Sequence, residues 1–484
     1  MELREKVLSA LRWSAAARFL GQAFSWAITI LVIRMLTPGD YGLMAMATVL
    51  VSFLFLLNTL GLDAILIQQK DLQEHTRRQI FGVVILANCA CFGLLFIGAP
   101  LAAAFFDEPL LSAVVRVLSV QFLLLIFETL PQAQLEREID FARRSVVDFV
   151  TLVLGSLVTL ALALLGYGVW ALVWGMLATT ASRVIGLNMI SRALVWPSFS
   201  FGNMSAHFSF GAFVSTDRGL WYLFSESDKF IGGKLLGQHA LGFYAVAAQL
   251  ASLPIQKLAG LLNAVALPAF SRVHSREDAA TVRPYLLTAT RLLSIAAVPV
   301  FFGLSCAADP IVAVLLGEKW MPVAPLLQLL GLVMPFKLLS NVFPPLLWGI
   351  GQPRVSAINY AIAAIIMPLA FAAGALWAGA LGMAYAWLAA YPLVFLITAW
   401  RSCNAAGISV AEYLGELRKP VIAGVLMYVV VLYLGDYVHD TFSAGLRLLI
   451  LAGTGAAVYL ALMFFIDRSS LLQTWALLKP QRAR

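Results

Sequence analysis

Long apolar runs follow one another along this chain, with short polar connections between them. A helix needs roughly 20 apolar residues to cross a bilayer, whereas the strands of a membrane β-barrel alternate apolar and polar positions. The runs are continuous, so we predict an all-α polytopic membrane protein. We predict fourteen transmembrane helices, at about 8–35, 41–67, 80–106, 111–131, 146–165, 169–190, 208–231, 240–270, 286–308, 323–349, 355–377, 379–400, 421–434 and 444–466.

The connections between the runs alternate in charge. One set is rich in Lys and Arg, as at Lys70 and Arg77, while the other is neutral to acidic apart from Lys319, as at TPGD (37–40) and GDYVHDT (435–441). Lys and Arg concentrate in cytoplasmic loops, so we predict that the first set and both termini are cytoplasmic. Two termini on one side require an even number of spans, in agreement with fourteen.

The chain carries an internal duplication with a shift of 200 positions. Arg18 falls on Arg218 and Ser25 on Ser225, and YGLMAMATVL at 41–50 matches LGFYAVAAQL at 241–250. Each copy contains an even number of spans, so we predict two parallel six-helix repeats related by an axis along the membrane normal. The predicted domains are an N-lobe (1–190, spans 1–6), a cytoplasmic linker (191–207), a C-lobe (208–400, spans 7–12), an interfacial segment (401–420), and two extra helices with a basic cytoplasmic tail (421–484).

Composition narrows the functional classes. The 484 residues are 61% hydrophobic and 12% charged, against about 25% charged in a soluble domain. The net charge of +8 follows from the basic connections, so it predicts no nucleic-acid partner. Four cysteines lie scattered in or beside apolar runs, and no nucleotide loop, zinc-ligand spacing or Ser-His-Asp order stands out. We therefore expect no catalytic residues, no metal and no cofactor, and classify the chain as a non-enzyme.

The first span has a polar face. Arg18, Gln22 and Ser25 share one side of the helix, and such a side cannot face lipid. Two interpretations remain open. The face either forms a polar seam between helices, with Arg18 paired to Glu128 or Asp217, or lines a cavity in which Arg18 meets a ligand.

The seventh span has an equivalent face. It carries Arg218, Tyr222 and Ser225, and the pseudo-symmetry brings its arginine together with Arg18. Guanidinium groups bind phosphate oxygens through paired hydrogen bonds, so this cationic centre predicts a phosphate-bearing substrate. The candidate substrate-binding residues are Arg18, Gln22, Ser25, Arg218, Tyr222 and Ser225, and the candidate coupling or gating charges are Asp217, Glu128, Asp228 and Lys229.

Some intramembrane charges have a simpler interpretation. Asp228 and Lys229 can reach the outer interface along their own side chains. Glu128, Lys257 and Lys337 interrupt apolar runs, and we expect each to lie within about two turns of a span end.

Several segments resemble a known family. They include LTPGDYGLMAMATVL (36–50), LPQAQLEREIDFARRS (130–145), GYGVWALVWG (166–175) and LLGEKWMPVAPLLQLLGL (315–332). The chain thereby resembles polysaccharide transporters of the Wzx type, near the colanic-acid exporter branch of the multidrug/oligosaccharidyl-lipid/polysaccharide flippase superfamily. The resemblance implies two six-helix lobes around a central cavity. It also implies a polyprenyl-diphosphate-linked oligosaccharide as substrate, moved across the bacterial inner membrane by alternating access.

Three functions follow for comparison. The first is the flippase, with the lipid-linked oligosaccharide and the bilayer as partners, polymerase and glycosyltransferase neighbours, and a functional monomer. The second is a drug or cation antiporter of the same superfamily, which would favour acidic residues in the cavity. The third is a membrane polysaccharide polymerase or glycosyltransferase, which would require a larger outer loop than the seven or so residues at 435–441.

Overall fold

The structure, a computed structural model, is helical wherever it is described. It describes residues 21–22, 24–59, 74–137, 141–191, 193–200, 205–270, 279–438 and 441–478. Within these ranges the side chains are described except at 56–59, 137, 141–142, 205–216, 256–270, 279–281 and 471–478. The described ranges contain helices, turns and one extended segment but no strand, as the continuous apolar runs predict.

Most helices are long enough to cross a bilayer. In chain order they are α1 (Phe24–Met35), α2 (Pro38–Thr59), α3 (Glu74–Phe106), α4 (Pro109–Arg137), α5 (Phe141–Leu164), α6 (Val169–Ile190), α7 (Ser205–Phe270), α8 (Ala279–Cys306), α9 (Ala308–Leu315), α10 (Val323–Ser340), α11 (Phe343–Gly349), α12 (Pro353–Ala405), α13 (Val410–Val438) and α14 (Ala444–Leu478). A 3-10 turn, Glu318–Trp320, precedes α10.

Ten candidate membrane spans lie within the described residues, judged by length and composition. They coincide with predicted spans 2–6 and 9–14, because α12 contains two predicted spans and α10 and α11 together make one. The class of polytopic helical membrane protein is therefore confirmed. The count of fourteen spans stays a prediction.

The helix α12 reverses direction near its middle. Ala378 and Gly379 leave the helical conformation there, and Gly379 has a φ of 61°. Residues eight apart on a straight helix are separated by about 12 Å, yet a Cβ atom added to Gly382 would lie 1.8 Å from the carbonyl oxygen of Gly374. The two arms are therefore antiparallel and in backbone contact. This reversal agrees with the prediction that one span ends at 377 and the next begins at 379.

The helix α7 reverses in the same way at Gly237, whose φ is 73°. The hydroxyl of Tyr244 donates a hydrogen bond to Asp228, at 2.8 Å. On a straight helix these two residues would be about 24 Å apart. The reversal separates the seventh and eighth predicted spans.

The chain divides into two compact units. The first contains Met1–Tyr222 and Leu236–Gly242, and the second contains Leu223–Leu235 and Phe243–Arg484.

Small residues bring α5 and α6 together in the first unit. A Cβ atom added to Gly155 would lie 1.8 Å from Oγ1 of Thr179, and one added to Gly175 would lie 1.8 Å from Oγ1 of Thr159. Membrane helices associate through such small residues because apolar side chains gain little by leaving lipid.

Two backbone crossings in the first unit repeat one another. A Cβ atom added to Gly42 would lie 1.7 Å from the carbonyl oxygen of Gln238, and one added to Gly242 would lie 1.7 Å from that of Pro38. Each residue of one crossing is 200 positions from its counterpart in the other. A twofold-related pair of duplicated segments produces this reciprocity.

Ion pairs connect α8, α13 and α14 in the second unit. The pairs are Arg283–Glu412 (2.6 Å), Arg291–Glu416 (2.5 Å) and Lys419–Asp467 (2.8 Å). All three lie at the end of these helices that the Lys and Arg distribution predicts to be cytoplasmic.

The backbone contact in α12 makes a specific prediction. Gly382→Ala forces the two arms apart, so we expect a loss of about 1–3 kcal/mol in the free energy of unfolding and a lower melting temperature in detergent. The control is Gly98→Ala, because a Cβ atom added there meets nothing within 4 Å. Equal melting temperatures for the two variants would contradict the hairpin.

Candidate functional site

The candidate residues of the first span divide between described and undescribed positions. Arg18 lies outside the described residues. Gln22 is half-buried and Ser25 is buried. The hydroxyl of Ser156, on α5, donates a hydrogen bond to the Ser25 hydroxyl at 3.1 Å, so Ser25 contributes to a polar seam between helices.

The candidate residues of the seventh span lie along α7. Tyr222 is buried, donates a hydrogen bond from its hydroxyl to the carbonyl oxygen of Val49, and packs against Phe53 with ring centroids 5.7 Å apart. Tyr222 therefore fastens this face of α7 to α2. Arg218 is one turn earlier on the same face and is half-buried.

The other two candidates on this stretch differ in exposure. Ser225 is half-buried, whereas Asp217 is buried.

Five charged side chains meet inside the first unit, and we call them the α4–α6 charge cluster. Its members are Glu128 and Glu136 on α4, Arg144 and Asp148 on α5, and Arg183 on α6.

The geometry of the α4–α6 charge cluster is that of two linked ion pairs. Arg183 contacts Glu128 at 2.9 Å, and Arg144 contacts Glu136 at 2.6 Å. Asp148 lies between the arginines, 3.8 Å from Arg183 and 3.9 Å from Arg144. Among the described residues, the partner of Glu128 is thus Arg183, and the alternative pairing with Arg18 lies outside the described residues.

Helix geometry places the central pair well inside the membrane. Arg183 is seven residues before the end of α6, and Glu128 is nine residues before the end of α4. These separations correspond to about 10 Å and 13 Å. Glu128 lies eight residues, about two turns, before the end of the candidate span Pro109–Glu136, in agreement with the expectation from the sequence.

The positive and negative charges of the α4–α6 charge cluster are paired but unequal in number. With all five groups ionised, its three carboxylates exceed its two guanidinium groups by one negative charge.

A second polar group lies in the second unit, and we call it the α7–α12 polar cluster. It consists of Glu226, Asp228, Lys229, Tyr244, Lys337 and Trp387.

Hydrogen bonds connect most of the α7–α12 polar cluster. Lys229 pairs with Glu226 at 2.6 Å. The indole nitrogen of Trp387 donates to the Tyr244 hydroxyl at 2.7 Å, and that hydroxyl donates to the buried carboxylate of Asp228 at 2.8 Å. Lys229 and Asp228 therefore have partners within the protein and do not need the outer interface.

Lys337 completes the cluster through an aromatic contact. Its ammonium lies 4.7 Å from the centroid of the Trp387 ring, a cation–π geometry. It is 14 residues after Val323 and 12 before Gly349 in the candidate span, about three turns or more from either end. The expectation that Lys337 lies near a span end is wrong, because the break after Ser340 does not end the span.

Sequence reasoning missed Arg183 altogether. It stands alone in the sixth span, within ATTASRVIG (178–186), and no charge of opposite sign is near it in sequence. The sequence contained one signal that could have identified Arg183, namely its position within an apolar run. A lone arginine at such a depth requires a partner from another helix. Among the described residues, no group of three or more His, Cys, Asp or Glu side chains could hold a metal ion.

Two family models match the chain. The model described as "Polysaccharide biosynthesis protein" covers residues 31–325, and the model described as "Lipid II flippase MurJ" covers residues 234–453.

Curated relatives match over most of their length. The chain is 28% identical to the succinoglycan biosynthesis transport protein ExoT of Rhizobium meliloti (strain 1021), over 98% of this chain and 95% of the relative. It is 23% identical to the lipopolysaccharide biosynthesis protein WzxC of Escherichia coli (strain K12), over 80% of this chain and 79% of the relative.

A solved structure shares the fold. The lipid II flippase MurJ in its inward closed conformation matches with a TM-score of 0.71 and 14% identity, over 95% of this chain and 99% of that chain.

The Arg183–Glu128 pair can be tested by double-mutant analysis. Arg183→Met leaves Glu128 buried without its principal cation, and removal of one partner of a buried pair costs about 3–5 kcal/mol. We expect a lower melting temperature in detergent for Arg183→Met and a substantial recovery when Glu128→Gln is added. The control is Arg116→Met, since Arg116 is exposed and its side chain contacts Phe96 without a carboxylate partner among the described ion pairs.

The prediction has a clear counter-result. If Arg183→Met has the same melting temperature as the control, the two side chains are not coupled. The same conclusion follows if Glu128→Gln lowers the melting temperature of Arg183→Met further instead of raising it.

Proposed function

We propose that this chain, which belongs to the family of polysaccharide biosynthesis proteins, is a flippase for polyprenyl-diphosphate-linked oligosaccharides. The family match and the likeness to WzxC confirm the resemblance to Wzx-type polysaccharide transporters. The observation that carries the proposal is the extent of the likeness to ExoT, a named transport protein, which covers 98% of this chain. A transporter of this class moves its cargo and need not alter it, so we also propose that the chain is not an enzyme.

The proposed route is alternating access across the bacterial inner membrane, with both termini cytoplasmic. The lipid tail of such a substrate can remain in the bilayer, whereas its diphosphate and sugars would meet hydrocarbon. Moving these polar groups requires a wet path lined by groups that replace water. The proposed contacts for the diphosphate are Arg18 and Arg218. The proposed contacts for the polar groups of the substrate next to the diphosphate are Gln22 and Ser225.

We propose that Ser25 and Tyr222 have a more limited role in substrate binding. Ser25 bonds with Ser156, and Tyr222 bonds with the carbonyl oxygen of Val49. Both hydroxyls therefore have partners that a substrate would have to replace. We propose that they position the arginine-bearing helices first and contact substrate only after those bonds exchange.

The two polar clusters are the proposed coupling sites. Glu128 belongs to a cluster with one surplus carboxylate, and Asp228 is buried with a hydroxyl donor. We propose that either carboxylate exchanges a neighbouring donor as the helices move. Two further residues of α7, Asp217 and Lys229, remain candidate gating charges.

The wider assembly is also part of the proposal. A flippase of this class works between enzymes, because glycosyltransferases build its substrate on one face of the membrane and a polymerase consumes it on the other. The transporter itself is proposed to work as a monomer.

Export measurements test the role of Arg218. Each charge-assisted hydrogen bond contributes about 1.5–3 kcal/mol, so Arg218→Ala and Arg18→Ala should each slow glycan export by roughly 10- to 100-fold. Lys keeps the charge but loses the fork, so Arg218→Lys should retain partial export. The measurement is surface glycan in a strain that lacks its own exporter, with membrane levels of each variant matched.

The control variant is Arg116→Ala, which removes an exposed arginine from α4 and should export normally. Wild-type export by well-inserted Arg18→Ala and Arg218→Ala, singly and together, would exclude the arginines as the diphosphate site. If the Arg18→Ala and Arg218→Ala variants lost drug extrusion instead of glycan export, the result would favour the drug antiporter.

A further inference from the structure

The segment after α6 is an extended strap, residues 193–200, that lies along the start of α3. The backbone amide of Ser198 donates to the carbonyl oxygen of Arg78 at 2.9 Å, and the Gln79 side chain donates to the carbonyl oxygen of Ser200. A Cβ atom added to Gly82 would lie 2.3 Å from the Ser198 carbonyl oxygen. The strap is therefore a fixed part of the first unit and not a loose tether.

The strap buries some of its apolar side chains and exposes others. In an extended chain, successive side chains point to opposite sides. Ala193 and Val195 point inward and pack against a core cluster that includes Ile80 and Leu130.

The opposite face would be polar in a loop that runs through water. Here it carries Leu194 and Trp196 ahead of Ser198 and Ser200, and Phe199, which comes after Pro197, is exposed as well. The Trp196 side chain is 82% exposed and that of Phe199 is 55% exposed. Neighbouring apolar residues left open in this way mark a surface that meets something other than water.

The length of α3 gives the depth of the strap. Its 33 residues span about 50 Å at 1.5 Å per residue, whereas the hydrocarbon core is about 30 Å thick and the whole bilayer about 40–45 Å. A centred α3 therefore extends about 10 Å beyond the hydrocarbon at each end. Arg78, to which the strap is bonded, is four residues from the start of α3 and so falls at headgroup level.

The exposed apolar surface continues from a membrane helix onto the strap. Ile185 and Met189 share one side of the last turns of α6, with exposed fractions of 60% and 80%. Trp196 follows only seven residues after Met189. The two surfaces belong to the same unit, and the bilayer that covers the first also reaches the second.

We infer that the strap is an interfacial anchor, and that Leu194, Trp196 and Phe199 insert into the headgroup region of the bilayer at the end predicted to be cytoplasmic. Tryptophan suits this position because its ring is apolar while its N–H can still reach water or lipid oxygens. Arg77 and Arg78 lie beside the strap and favour anionic lipid there. The strap thereby fixes the linker to the membrane surface as well as to α3.

Site-directed spin labelling of the full-length protein tests this inference. Cys89, Cys91, Cys306 and Cys403 are replaced by serine or alanine, and single cysteines at Trp196 and Phe199 then carry a nitroxide. The protein is reconstituted into liposomes of phosphatidylethanolamine and phosphatidylglycerol. Collision with oxygen, which concentrates in lipid, is compared with collision with a water-soluble nickel chelate.

Two matched positions calibrate the measurement. Met189→Cys reports the lipid-facing surface of α6, and Glu74→Cys reports the exposed start of α3. We expect both strap labels to show several-fold lower access to nickel than the label at Glu74, and higher access to oxygen. Their depth should lie between the two reference labels.

Water-like access at both strap positions, equal to that at Glu74, would overturn the inference and indicate a surface that faces solvent or another chain. Low access to both reagents would also overturn it, since it would indicate burial in protein. Because Trp196 is largely exposed, its label should leave folding intact, and the Phe199 label provides an independent second position.

Discussion

The cost of placing charge in hydrocarbon is the constraint on which this structure depends. Even the mildest scale assigns about 2.5–3.5 kcal/mol to a charged residue at the centre of a membrane helix. The protein meets this cost by bringing opposite charges together from different helices, as in Arg183–Glu128. At Asp228, a buried hydroxyl also donates a hydrogen bond to the carboxylate. These contacts require specific neighbours, so they determine which helices must be adjacent.

Close helix approach is the complementary requirement, and small residues supply it. The glycines of α5 and α6 admit threonine side chains, and the glycines of α12 admit the opposing backbone. These contacts bring helices near enough for the side chains of Arg183 and Asp148 to meet. The reciprocal crossing of Gly42 and Gly242 shows the same device at two positions separated by 200 residues. A glycine retained in both copies is therefore a structural consequence of the duplication.

The sequence predicted the class of fold and most span positions, because long apolar runs have few alternatives in a bilayer. It predicted the reversals near Gly237 and Gly379 for the same reason. It did not predict Arg183, whose partner is 55 positions away on another helix, and hydrophobic periodicity contains no information about such distant pairs. It also misjudged Lys337, which lies about three turns or more from either end of the span 323–349 even though that span was predicted with the same bounds. The prediction for Arg18 lies on residues that the structure does not describe.

The functional account joins these constraints to the family. A membrane protein that maintains paired charges within its helices can exchange those partners for the charges of a substrate. The family match is to polysaccharide biosynthesis proteins, and a diphosphate-linked glycan is the substrate class that we propose. The most direct test uses purified protein in liposomes that contain a fluorescent polyprenyl-diphosphate oligosaccharide in both leaflets. An impermeant reductant should quench the inner-leaflet pool as well as the outer pool, because the protein carries the inner molecules outward. If the inner pool stays as protected as in protein-free vesicles, with protein insertion verified, the chain does not flip this substrate.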